Sequence, residues 1–254
     1  MNREISIVLL SHKSRDLIIN FIKKIYGKFT IIIIDNSNQA SLKEEIEKNY
    51  PNIRLEIVKN NGYGAAINYA SKLIKTDYFI VSNPDIIGLN EINIKEFIET
   101  AKSLNNEFSS LGPRFIDADK KSHLQSKENI DVAEMKFISG ACMFFNKKIF
   151  DSLNGFDENF FLYFEESDYC LRAIKKNYQV NKVKVRHNVG SSVIVENKNE
   201  KKELDKLYTW HFIWSKYYYH RKHYGKLYSL IYFFPIFVRI IFRICFYTIT
   251  NNRY

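Results

Sequence analysis

Cysteine, proline and glycine are all scarce in this chain of 254 residues, which holds three, four and nine of them. Cys142, Cys170 and Cys245 are odd in number and widely spaced, with no C-x-x-C pair. That excludes a disulfide scaffold or zinc ribbon and suits a reducing compartment. So little proline and glycine leaves no room for long low-complexity linkers. No secretory signal peptide is expected either, because Met1-Asn2-Arg3-Glu4 passes directly into a strand-like run. Basic charge is missing from most of the chain. Of the net +10, residues 201–254 supply +8, from six Lys and four Arg against Glu203 and Asp205. Residues 1–200 are therefore close to neutral, and a uniformly basic nucleic-acid binder is excluded.

What is present is 46% hydrophobic and 26% charged, which rules out a disordered or fibrous chain. The length fits one large α/β domain, or a domain with an appendage. Ile5–Leu10 and Ile31–Ile34 read as buried strands, and Ile53–Val58 and Tyr78–Ser82 as a third and fourth strand. Between them lie helical stretches from Arg15 to Tyr26, from a capping-box spacing at Ser41–Glu44, and from Tyr63 to Lys75. Such alternation predicts a parallel sheet built from right-handed crossovers. Ligands of these sheets bind beyond the carboxyl ends of the strands. The polar clusters at 11–14, 35–38, 60–64 and 83–85 all fall at those ends, so four loops converge on one rim. Further on, 109–115, 137–145 and 179–185 read as strands, 116–135 as a polar surface excursion, and 165–176 as a helix.

The rim residues limit the chemistry. Gly62-Tyr63-Gly64 supplies two glycines of a dinucleotide fingerprint, but Ile67 stands at the third position, so the redox signal is weak. No G-x-S-x-G elbow is present. Asp85, directly after a strand on a Pro-stiffened turn, fits either a cap or a ligand for Mg²⁺ or Mn²⁺ beside substrate phosphates. A second acidic cluster, Glu165-Glu166-Ser167-Asp168, favours the metal reading. One acid would then hold a cation against a leaving diphosphate while another acts as general base.

These motifs, in order, resemble family 2 glycosyltransferases. They run from Ile7–Ser11 and Ile33–Ser37 through Asn61–Asn68 and Asn83-Pro84-Asp85. They continue with Ser139–Met143, Asn154–Phe161, Glu165–Arg172 and His187–Ser192. Within the family the set is most similar to bacterial rhamnosyltransferases of cell-wall and O-antigen assembly, and the likeness covers about residues 4–195. It implies a GT-A fold, a Rossmann-like mixed sheet flanked by helices, with a nucleotide-binding half to about 105 and an acceptor half to about 200. It also implies a nucleotide-sugar donor, a divalent metal (Mg²⁺ or Mn²⁺) and inversion at the anomeric carbon. By the same likeness Ser11 and Asp35 would hold the nucleotide base, with Gly64, Asn68 and Asn83 beside the nucleotide-sugar. Asp85 would be the metal ligand where the family has a DxD. The base falls on Glu166 in place of the usual Asp, with Asp168 as runner-up. His187 would bind diphosphate or metal, or serve as a strand-end residue. Gly140 allows either close approach of substrate or a tight bend.

Residues 201–254 form a helical appendage in this reading, with 17 of the 39 aromatics and both tryptophans. Its longest largely apolar stretch free of charge, Leu227–Val238, spans twelve residues, too short to cross a bilayer. Arg239 and Arg243 follow it, a pattern expected of a segment lying in lipid headgroups. The alternative is a helical pair packed on the domain or forming a homodimer. The expected enzyme is thus a peripheral protein of the cytoplasmic face of the bacterial inner membrane. It would move L-rhamnose from a dTDP donor onto a glycan or polyprenyl-diphosphate-linked acceptor. Rivals are a family 2 enzyme using UDP-GlcNAc or UDP-galactofuranose, a nucleotidyltransferase, or a non-catalytic membrane scaffold. The nucleotidyltransferase should show a phosphate-gripping basic signature near the first strand, where only Lys13 stands.

Overall fold

The computed structural model describes residues 2–116, 125–188, 193 and 197–249; residues 189–192 of the last motif and 117–124 of the polar excursion lie outside them. Strands β1 (Asn2–Ser11), β2 (Phe29–Asp35), β3 (Arg54–Ile57) and β4 (Tyr78–Ser82) are parallel, in the order β3-β2-β1-β4. They alternate with helices α1 (Arg15–Ile22), α2 (Ala40–Asn49) and α3 (Tyr63–Ser71). A two-residue strand β5 (Ile86–Ile87) and helix α4 (Glu91–Ser103) follow, the helix capped by Asn90, whose side chain accepts from the Asn93 amide. Then come β6 (Ser110–Phe115), β7 (Val132–Met135), β8 (Cys142–Asn146), α5 (Lys147–Ser152), α6 (Glu165–Arg172) and β9 (Asn177–His187). Two long helices follow, α7 (Lys198–Tyr224) and α8 (Lys226–Ile249).

The sheet continues from β4 through β8, β6 and β9 to β5, with β7 also on β9. Strand β8 runs antiparallel to both of its neighbours, so the sheet is mixed. A register shift between Pro113 and Arg114 splits β9 into two parts. Its first part pairs β7 and its last part pairs β5, which sets His187 opposite Ile86. That pairing brings the end of β9 beside Asp85.

Alternation along the strands fills two cores. Ile7, Leu9 and Phe144 belong to one cluster, and Val8, Phe79 and Phe145 to the other, as period-two side-chain direction requires. In the second, Phe79, Phe145, Phe150 and Tyr169 pack with ring centroids about 5 Å apart and are all fully buried. Cys170 is buried beside them.

Three local expectations are corrected. The Ser41–Glu44 capping box does not form, because Asp35 accepts the Gln39 amide at 2.7 Å and α2 starts earlier, at Ala40. Residues 137–141 are loop rather than strand, since a turn joins the Cys142 amide to the Ser139 carbonyl before β8 begins. The polar stretch 116–135 ends in a true strand, β7, held on the outer side of β9.

Candidate active site

A cleft of about 510 Å³ opens at the carboxyl ends of the parallel strands. Its first wall is a polar ladder. His12 follows β1, Asn36 follows β2 and Asn60 follows β3, and all three line the cleft. His12 Nδ1 lies 2.7 Å from Asn36 Oδ1, and Asn36 Nδ2 donates to Asn60 Oδ1 at 3.2 Å. With the amide so oriented, His12 Nδ1 carries the hydrogen. Asn60 Oδ1 also accepts the Gly62 amide.

Ser11 and Asp35, expected at the base, sit one residue short of this wall and are fully buried. Ser11 Oγ is 3.2 Å from Ser14 Oγ. Asp35 accepts the Ser37 amide and hydroxyl and the Gln39 amide, so it shapes the loop while Asn36 faces the cleft. Successive side chains at a strand end point to opposite sides, and sequence reading placed the strand ends without resolving which of two neighbours faces the ligand. His12 and Asn36 were missed for that reason, and Asn60 because it lies in the loop three residues beyond the end of β3.

The floor is the start of α3. Gly62 has φ +103°, and a Cβ there would come within 2.7 Å of Phe161 Cα, so only glycine fits. A Cβ on Gly64 would press on Phe156 Cβ at 3.0 Å. Asn68 is spent on structure, donating to the Phe156 carbonyl and Glu158 and accepting the Phe156 amide. Neither Gly64 nor Asn68 lines the cleft.

Asn83 does line it, its amide bound to the Ala141 carbonyl at 2.9 Å. Asp85, after Pro84, is fully buried, and neither carboxylate oxygen takes a hydrogen bond. His187 Nε2 approaches Asp85 Oδ1 to 3.4 Å. A buried carboxylate with both oxygens unpaired is costly unless a cation or donor completes it. The carboxylate oxygens are the hard ligands that suit Mg²⁺ or Mn²⁺. Among the described residues no group of three or more His, Cys, Asp or Glu forms a cage for a metal. His187 lines the cleft while Asp85 is buried just behind it, outside the lining. The pair could therefore hold a cation only at the edge of the cleft, with its other ligands supplied by bound phosphate.

The far wall carries the acids. Glu165 and Glu166 line the cleft at the start of α6. Burial, then the neighbouring charge of Glu166, pushes the Glu165 carboxyl well above the usual carboxylate range, and its Oε2 has no partner. Burial also raises Glu166, whose side chain borders Gly140. The Tyr63 hydroxyl donates to the Gly140 carbonyl at 2.7 Å, fixing that loop against α3. Asp168 lies elsewhere, fully buried outside the cleft lining and enclosed by Arg172 at 2.7 Å, Lys222 at 2.6 Å and His223 at 2.8 Å.

The last wall is α7. Leu204, Leu207, Tyr208 and His211 recur at helical spacing and face the cleft. His211 stacks on Phe161 with centroids 4.3 Å apart.

A model of the family described as Glycosyl transferase family 2 matches residues 6–171. The chain belongs to that family. Its likeness extends to curated relatives. It is 23% identical to the low-salt glycan biosynthesis hexosyltransferase Agl10 of Haloferax volcanii over 72% of this chain and 65% of that one. It is also 23% identical to the rhamnosyltransferase WbbL of Escherichia coli, over 81% and 88%. The chain thus spans less than two thirds of the haloarchaeal relative. Among solved structures, S. aureus TarS superposes with a TM-score of 0.57 at 13% identity, covering 72% of this chain and 36% of that one. Its fragment 1–349 in complex with UDP gives 0.53 at 15% identity, covering 70% and 60%. These likenesses carry the mixed-sheet α/β fold. The family match spans the loops after β1 to β4 and the start of α6, while His187 at the end of β9 lies beyond it. The α7 wall also lies beyond it.

Proposed function

We propose that this family 2 chain is an inverting glycosyltransferase that moves a sugar from a nucleotide-sugar to a hydroxyl of a glycan or lipid-linked acceptor. The observation that carries the reading is the opposition, across one cleft, of the strand-end ladder His12–Asn36–Asn60 and the acids Glu165 and Glu166. The ladder offers donors and acceptors suited to a nucleobase and ribose. Glu166 takes the proton of the acceptor hydroxyl as that oxygen attacks the anomeric carbon. Its raised affinity for a proton makes it a stronger base once ionised. The nucleoside diphosphate departs from the opposite face, so a single displacement inverts configuration and no enzyme nucleophile is required. Asp85 and His187 would hold Mg²⁺ or Mn²⁺, which when bound supplies Lewis-acid neutralisation of the diphosphate charge.

The likeness to a rhamnosyltransferase favours dTDP-L-rhamnose as donor, ahead of UDP-GlcNAc or UDP-galactofuranose. Helix α8 supports a peripheral seat on an anionic bilayer, the cytoplasmic face of an inner membrane in a bacterial host. Leu227, Ile231, Phe234, Ile241 and Phe242 are all more than half exposed along it, while among the described residues no helix is long and apolar enough to cross a membrane. Such a seat matches a polyprenyl-diphosphate-linked acceptor. The test is a binding and hydrolysis screen of those three nucleotide-sugars with and without Mn²⁺. Metal-enhanced binding with slow release of nucleoside diphosphate is expected. Binding of none of them overturns the reading.

A further inference from the structure

Helix α6 opens on backbone that ordinary side chains avoid. Tyr163 (φ +71°) and Phe164 (φ +69°) are consecutive non-glycine residues in the left-handed region. Such a conformation is costly and persists only where the surroundings over-determine it. Those surroundings come from α7. Ser215, fully buried, donates to the Leu162 carbonyl at 2.8 Å. Phe212 packs on both Tyr163 and Phe164, and Tyr219 on Phe164, with centroids 5.5–5.7 Å apart. One turn further along, Lys222 reaches Asp168 on α6 at 2.6 Å and Asp157 at 2.7 Å, and His223 reaches Asp168 at 2.8 Å. Tyr218 adds a 3.0 Å bond to Asp157. Both ends of the first turn of α6, the turn that carries Glu166, are thus tied to one face of α7.

We propose that α7 is a brace that sets the aim of Glu166, with Ser215, Lys222 and His223 as positioning residues for the reaction. This rests on Glu166 being the base. Ser215 and the aromatic pair hold the strained approach, and the cations grip Asp168 two residues beyond the base. None of the three lines the cleft, so each acts through α6 rather than on substrate. Misplacement of a reacting group by about 1 Å costs about 10²-fold in rate without touching ground-state binding.

The test uses the full chain. In Lys222→Met, kcat for donor hydrolysis or transfer should fall by about 10- to 100-fold, with the KM for the nucleotide-sugar unchanged. Lys222→Arg should recover most of the loss, and Ser215→Ala should reproduce it. Lys206→Ala, on the outer face of α7, serves as the control with unchanged turnover. Amide exchange across residues 162–168 should accelerate in Lys222→Met alone of the Lys variants. A Lys222→Met enzyme with full kcat, or with kcat and nucleotide binding lost together, overturns the brace. If exchange accelerates while the parent turns over none of the three donors, the base reading fails and takes the catalytic part of the proposal with it. Unchanged exchange with an active parent overturns the brace alone.

Discussion

Glu165 and Glu166 share one helix start but do different work. Replacing Glu166 by Gln removes the proton acceptor, so kcat should fall by about 10²–10⁴-fold, while equilibrium binding of nucleotide survives. Because burial raises Glu166, the acid limb of the parent's pH–kcat profile should lie above the ordinary 4.5 of a glutamate. Glu165 bears on stability instead. Its pKa in the folded chain is raised, so its burial contributes stability fully below pH 4.5 and loses it as pH rises through the raised value. Glu165→Gln should therefore be more stable than the parent at neutral pH, with the difference gone below pH 4.5; urea melts at pH 4 and 7.5 check this. Asp85→Asn should abolish the Mn²⁺ dependence of turnover and leave the circular dichroism spectrum intact. Residue-level reading of the sequence placed Glu166 and His187 at helix and strand ends that the fold turns into the cleft, and Asp85 just behind it, because each belongs to a motif set by its own strand or helix end. It could not separate Asp35 from Asn36, since both are polar and only the twist of the strand end decides which one faces the ligand.

At the scale of elements, α6 shows how one helix serves two structures. Its cleft side carries Glu166, the proposed base, and its inner side carries Asp168 among three basic groups. Asp168→Ala would leave Arg172, Lys222 and His223 facing one another without their carboxylate. A loss of about 3–5 kcal/mol is expected, the range for breaking a buried ion pair on one side, read as a lower midpoint in thermal melts. The early β–α alternation was legible because β1, β2 and β4 are short apolar runs covered on both faces. Strand β7 was not, because Val132–Met135 is a half-exposed edge whose partner, β9, lies more than forty positions later. The role of α7 was equally hidden. Leu204, Tyr208 and His211 look like any amphipathic stripe until the fold sets them across from Glu165 and Glu166.

For the whole molecule, the helical appendage is broken at Gly225, the residue between α7 and α8. A chain ending at Gly225 should keep nucleotide binding and donor hydrolysis, since α8 lines none of the cleft. A chain ending before Lys198 should lose turnover, because a wall of the cleft leaves with it. The full-length chain should bind vesicles rich in anionic lipid and be released in part by about 0.5 M salt, as screening weakens the basic charge of residues 201–254. A full-length chain that ignores such vesicles, yet sediments as a dimer that truncation at Gly225 dissolves, would assign α8 to self-association instead.

The glycine-packed floor has a consequence for motion. Gly62 sits against Phe161 and Gly64 against Phe156, and a Cβ on Gly155 would strike the Asn68 side chain. The halves of the catalytic body meet there with no slack for even one methyl group. A joint so close-fitted cannot serve as a hinge, since interiors packed to this density resist gradual deformation. Jaw-like opening of the Gly62–Asn68 segment against residues 155–161 is therefore not expected. Microsecond-to-millisecond relaxation on adding nucleotide should be confined to the opening turns of α7, and the radius of gyration should stay constant.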